Sequence, residues 1–91
     1  MNSVAIAVTA AGGPIAAAKA CDKTRQAVDK WVEKGVLPRT DYTGETDYAT
    51  KLAEAAAARG FPFERQALLD RILTEDILKP AEPAEPDAAV A

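Results

Sequence analysis

Apolar residues recur at helical spacing along most of this chain, in segments that are short and sharply punctuated. Residues 3 to 11 carry two patterns at once: Val4, Ile6 and Val8 alternate as a strand would, whereas Val4, Ala7, Val8 and Ala11 follow one helical stripe. The alanines decide for helix, because alanine is the best helix former and is depleted in strands. On that reading Ile6 faces outward, either as an ordinary exposed apolar residue or as part of a contact with a second subunit. Gly12-Gly13 ends the segment, and Pro14 suits the first position of the next helix. This second helix, 14–20, is nearly all alanine, with Ile15 and Ala18 on its apolar face. Cys21-Asp22-Lys23 then makes a tight turn, and Thr24 is a good N-cap for a third helix running to Lys34 and closed by Gly35. Within it Val28 and Trp31, with Val32 at the edge, form the stripe that must face inward, leaving Arg25, Gln26, Asp29, Lys30 and Glu33 outside.

Leu37-Pro38 closes this unit, and residues 39–45 (RTDYTGE) read as a loop with a turn at Thr43-Gly44. Thr46 is expected to cap a fourth helix, with Asp47 in its first turn favourable to the helix dipole and a stripe of Tyr48, Leu52, Ala55 and Ala56. Arg59-Gly60 ends it. A fifth helix is expected from Phe63 to Leu78, with Leu68, Leu69, Ile72 and Leu73 on its apolar side and Lys79-Pro80 as its stop. The remainder, AEPAEPDAAVA, is proline-spaced and acidic and lacks large apolar residues other than Val90, so a disordered tail is expected there. The fold class is therefore all-α: a compact bundle of about five short helices over residues 1–78, followed by an acidic Pro/Ala-rich tail over 79–91.

Composition narrows the chemistry. Of the 91 residues 48% are hydrophobic, but much of that share is alanine and 5% are aromatic, so the core is thin. No apolar run approaches the roughly 18 residues of a membrane helix, and MNSVAIAVTAAGG lacks the basic start of a secretory signal, so a cytoplasmic protein without a membrane partner is expected. There is no histidine and one cysteine, Cys21, which excludes a disulfide scaffold, a Cys/His metal site and a Ser-His-Asp or Cys-His triad within one chain. Neither GxxxxGK[ST] nor GxGxxG occurs, and Gly12-Gly13 reads as an interhelical turn. No catalytic residue, no cofactor and no enzyme activity is expected.

The net charge of −3 speaks, taken whole, against nucleic acid as a partner. Its distribution changes that inference. Residues 1–40 hold six cations (Lys19, Lys23, Arg25, Lys30, Lys34, Arg39) against three acids, whereas residues 41–91 hold five cations against eleven acids.

Two short helices joined by a three-residue turn, the second with a polar and basic outer face, are the arrangement of a helix-turn-helix. In that unit Ala18 supplies the small side chain where the helices meet, Asp22 takes the turn, and Val28 and Trp31 plug the second helix onto the domain. The stretch Ala10–Pro38, AAGGPIAAAKACDKTRQAVDKWVEKGVLP, resembles the helix-turn-helix of Cro/CI-like transcriptional regulators of phages and prophages, and most of all the small Cro-type and YdaS-type members. LPRTDYTGETDYATKLAEA also looks like an extension seen in some Cro-like prophage proteins, and the resemblance covers roughly residues 3 to 75. It implies a lambda-repressor-like DNA-binding fold. Two departures stand out. Asp22 occupies a turn position that is usually glycine in the family, where aspartate tolerates the left-handed conformation better than most residues. Pro14 replaces a glutamine that many relatives use to touch a phosphate, and proline offers neither a side-chain donor nor an N–H.

The resemblance implies that Arg25 and Gln26, in the first turn of the recognition helix, read bases in the major groove, with Lys30 one turn further on. Arginine fits the N7 and O6 acceptors of guanine, and glutamine presents a donor and an acceptor to adenine. Asp29 either accepts from a cytosine amino group or orients Arg25 across one turn, and the second role is favoured because exposed (i, i+4) pairs are common. Lys19, Lys23, Thr24, Lys34, Arg39 and Thr40 are expected at the phosphate backbone, fixing register without reading sequence. Tyr48 sits at a core position, Tyr42 lies on a loop beside Arg39, and Cys21 is expected to be a small buried hydrophobe. The expected function is a Cro-type transcriptional repressor binding a pseudo-palindromic operator as a homodimer, with Leu73, Ile77 and Leu78 supplying the dimer surface. An alternative reading is an antitoxin or phage accessory module whose acidic C-terminal half binds a protein partner while the helix-turn-helix serves autoregulation.

Overall fold

The first helix, α1 (Ser3–Ala10), begins at Asn2, whose side-chain oxygen accepts the Ala5 N–H at 2.8 Å. The computed structural model describes residues 2–78, and every regular element among them is helical. After α1 come α2 (Pro14–Cys21), α3 (Arg25–Lys34), α4 (Arg39–Thr43), α5 (Tyr48–Ala58), α6 (Arg65–Leu69) and a 3-10 helix, Glu75–Leu78. The tail expected over 79–91 lies outside the described residues.

Helix α1 is the hub. The helices α2, α3, α5 and α6 and the 3-10 helix all pack on it, so it is apolar nearly all round and buried on nearly every face. This corrects the expectation for Ile6, which is 1% exposed and no part of an outer surface. The converse holds on α2: Ile15, expected on its inner face, is 63% exposed, and Ala17, Ala18 and Cys21 face the core instead. The axes of helices α1 and α2 are bent by 86° across the Gly12-Gly13 break. Such a sharp turn needs glycine at position 12, where φ is +113° and an added Cβ would lie 3.0 Å from the Ala16 Cβ and 3.2 Å from the Arg59 Cδ.

The core is a continuous cluster in which Val4, Ala7 and Val8 of α1 meet Ala17 and Ala18 of α2, Val28 and Trp31 of α3, Leu52 of α5 and Leu68 of α6. So many alanines let helix axes approach closely, and a thin core can still be filled.

Three further expectations are corrected. Residues 39–43 are not loop but the one-turn helix α4, which ends at Gly44 with φ +88°. Thr46 does not cap the next helix: the Asp47 carboxylate accepts the Thr50 N–H at 3.3 Å, and Thr46 donates its hydroxyl to Asp41 at 2.9 Å. The single fifth helix over 63–78 is broken. Arg71 takes a left-handed conformation (φ +59°), the Ile72 N–H reaches back to the Ala67 carbonyl at 3.0 Å, and α6 ends at Leu69. Ile72 is consequently 66% exposed, whereas Leu73, offered above as dimer surface, packs on the core of its own chain, and its carbonyl accepts the Ser3 hydroxyl at 3.1 Å. Ile77 and Leu78 are half-buried in the 3-10 helix against α1. No helix among the described residues is long and apolar enough to cross a membrane by itself.

Candidate nucleic-acid interface

Helices α2 and α3 are joined by Asp22-Lys23-Thr24 and pack directly on each other. Asp22 is in the left-handed conformation (φ 57°, ψ 45°) foreseen for a residue that replaces glycine. The Lys23 N–H then donates to the Ala18 carbonyl at 2.9 Å, closing the end of α2 so that the chain can restart at once. Thr24 caps the restart, its hydroxyl oxygen accepting the Ala27 N–H at 3.1 Å. At the far end Gly35 (φ +75°) closes α3 with a 2.8 Å hydrogen bond from its N–H to the Trp31 carbonyl.

The inner side of α3 is fixed by Val28, fully buried, and by Trp31, whose ring stacks on Tyr48 with centroids 5.1 Å apart. The outer side carries Arg25, Gln26, Asp29 and Lys30, all exposed. Arg25 Nε lies 3.7 Å from Asp29 Oδ2, so the two groups share one stretch of helix surface in a loose (i, i+4) pair. Gln26 and Lys30 stand in the same (i, i+4) relation beside them.

The expected phosphate-contacting cations lie in three places. Lys23 stands beside the start of α3, its ammonium 5.5 Å from the centre of the Tyr48 ring, and its hydrogen bond with the Tyr48 side chain holds its pKa above the ordinary lysine value. Lys30, Lys34 and Arg39 line one groove of about 380 Å³ that runs from α3 to the start of α4, floored by Trp31, Val36 and Leu37. Lys19 is exposed in the last turn of α2. Thr40 stands apart from the others: its hydroxyl is within 2.9 Å of the Thr46 hydroxyl and so is already engaged inside the protein.

Two positioning residues escaped the sequence reading. Asn2, besides capping α1, donates its amide to the Val32 carbonyl at 2.8 Å, tying the start of α1 to the last turn of α3. Its only signal was an asparagine just before an apolar helix. Asp41, assigned above to a loop, is 1% exposed and accepts the Tyr48 N–H at 2.6 Å, the Ala49 N–H at 3.1 Å and the Thr46 hydroxyl. It caps α5 from another helix, and no local pattern announces that. Among the described residues no group of three His, Cys, Asp or Glu side chains is arranged to hold a metal ion.

Over 42 residues the chain is 50% identical to the 8.4 kDa Cro protein of Escherichia phage HK022. Over that stretch the chain resembles a Cro protein. The match takes in 46% of this chain and 55% of the relative, so the chain spans about half the length of the protein it resembles. No protein-family profile matches the chain, and no solved structure does. The Cro likeness agrees with the resemblance read from the segment Ala10–Pro38, and the all-helical architecture agrees with the fold expected from it.

Proposed function

We propose that this protein is a sequence-specific DNA-binding transcriptional regulator of Cro type, acting as a repressor and binding a pseudo-palindromic operator as a homodimer, with α3 in the major groove. The observation that carries the reading is the two-sided character of α3: one side is locked by Val28 and Trp31, and the other presents Arg25, Gln26 and Lys30 to solvent behind a Thr24 cap. A rigid helix with its polar end free has the form that major-groove readout requires. Similarity to a phage protein named Cro supports the same reading.

In this account Arg25 and Gln26 read base edges, Asp29 holds the Arg25 guanidinium in a productive direction, and Lys30 extends the contact by one turn. Lys19, Lys23, Thr24, Lys34 and Arg39 neutralise phosphates and set the register; Thr40 contributes least, because its hydroxyl is committed to Thr46. Dimerisation follows from arithmetic: one such helix touches few base pairs, and two on a two-fold axis reach half-sites about one turn of DNA apart.

Selection of bound duplexes from a random pool tests the proposal. A recovered pseudo-palindrome with half-sites about 10 base pairs apart supports it. Replacing both Arg25 and Gln26 by alanine should then weaken binding to that sequence by roughly 10²- to 10⁴-fold, on the basis of about 1–3 kcal/mol per bidentate base contact. Lys19→Ala should weaken binding to all duplexes alike and lower the salt slope by about one. Unchanged specificity in the double variant removes the base-reading role from α3.

A further inference from the structure

The groove that holds Lys30, Lys34 and Arg39 continues past Val36 and Leu37 into a second one of about 530 Å³, bounded by Tyr42, Leu69 and Arg71. The walls are largely apolar: Trp31 lines the first groove, Val36 and Leu37 line both, and the second has an exposed Tyr42, whose hydroxyl accepts the Leu37 N–H at 3.2 Å and so is held in place. Every charged residue that lines the two grooves is a cation. A surface with aromatic and aliphatic walls and a purely basic rim fits an extended, acidic ligand with apolar ridges.

The chain itself contains that ligand. Residues 79–91 read KPAEPAEPDAAVA, with prolines at 80, 83 and 86 and glutamates at 82 and 85. In a polyproline II helix, with three residues per turn, this spacing would put the three prolines on one edge, both glutamates on a second and Asp87 on the third, so that acidic groups would flank the prolines on both sides. We propose that segment 79–91 docks in cis along the Trp31–Leu37–Tyr42 groove, prolines against the apolar floor and Glu82, Glu85 and Asp87 toward Lys30, Lys34, Arg39 and Arg71. Length permits it: thirteen residues extend to about 43 Å, more than the roughly 30 Å width of an 80-residue domain. The tether also supplies an effective concentration in the millimolar range, so a contact that is weak between separate molecules is populated within one. The docked segment covers three of the cations assigned above to DNA. This consequence, unlike the docking itself, rests on the DNA-binding reading, and it makes the acidic segment a competitor for phosphate.

The test uses the full chain with a nitroxide on Ala88→Cys; the native thiol, Cys21, is buried and does not compete for the label. Docking predicts that the Trp31 indole and the Leu37, Tyr42 and Leu69 amides lose signal, while Ile15 on the exposed side of α2 does not. The Glu82→Gln, Glu85→Gln, Asp87→Asn triple variant carrying the same label should recover most of that intensity. Unbroadened groove signals, uniform broadening, or broadening seen only when a labelled chain is mixed with an isotope-labelled unmodified one each overturn the proposal, the last by assigning the occupant to a second copy. The same triple variant, unlabelled, should bind duplex DNA roughly three- to tenfold more tightly at low salt, the gain vanishing as salt screens the charges. If neither chain binds DNA, the DNA reading fails while the broadening pattern still decides the docking.

Discussion

The Asp41 carboxylate satisfies two backbone N–H groups and one hydroxyl at the start of α5 from a position that water hardly reaches. Removing it leaves those donors without a partner in a buried place, where each orphan costs about 1–3 kcal/mol. Asp41→Ala should therefore lower unfolding stability by about 3 kcal/mol in urea titration, and a loss under 1 kcal/mol would show that α5 does not depend on this cap. Cys21 offers a test in pH. Burial, together with the nearby Asp41 charge, pushes its thiol up to about 11 from 9.0. The folded state thus holds this proton more tightly than the unfolded state. Its contribution is whole below pH 9 and is lost as pH rises from about 9 through 11. Stability should decline over that interval, and Cys21→Ala, measured in the same way, should show a shallower decline. The burial of Cys21 was legible from its residue type, whereas the Asp41 cap is not visible in local sequence, because it depends on which helix comes to lie alongside.

At the scale of the element, α3 was the most legible part of the chain. Its cap, its Val28 and Trp31 stripe and its Gly35 stop all act within three or four residues, which is the range over which a sequence pattern is itself the interaction. Asp22 was legible in the same way, as the residue that must turn left-handed to let α3 start. Glycine takes that conformation without the clash of a Cβ, at some cost in unfolded-chain entropy, so Asp22→Gly should leave the fold unchanged and raise stability by up to about 1 kcal/mol. A thermal melt that moves downward instead would mean that the Asp22 side chain is itself stabilising the turn. The element that was misread, 63–78, shows the converse. Its break falls at Arg71, a residue that gives no warning of a left-handed conformation, and a periodic run of Leu68, Leu69, Ile72 and Leu73 continued the helix on paper past the point where the chain turns. Closing α6 early lets Leu73 fold back onto the core and frees the carbonyl that Ser3 uses.

For the whole molecule the governing fact is that α1 is central. Because other elements cover it on most sides, strand-like alternation, helical stripe and the leftover Ile6 are all buried together, and a rule that gives every helix an outer face fails on it. The 86° turn into α2 decides which side of the alanine-rich helix faces inward, and that choice leaves Ile15 outside. Gly12→Ala should disturb this junction, since its φ of +113° is strained for any side chain and the new Cβ would press on Ala16 and Arg59. A loss of about 2 kcal/mol or more in unfolding stability is expected, and a neutral result would show that the junction relaxes freely. By itself, then, the sequence determined the helical class, the α2–turn–α3 unit with its capped and basic second helix, and the division of charge between the two halves of the chain. These follow from periodicity, caps and composition, which act locally or simply add. Only the tertiary structure decided that Ile6 is core and Ile15 surface, that Asp41 caps a helix other than its own, that Asn2 ties α1 to α3, and that Lys30, Lys34 and Arg39 share one groove. Those are relations between residues distant in sequence, and they exist only once the helices have chosen their neighbours.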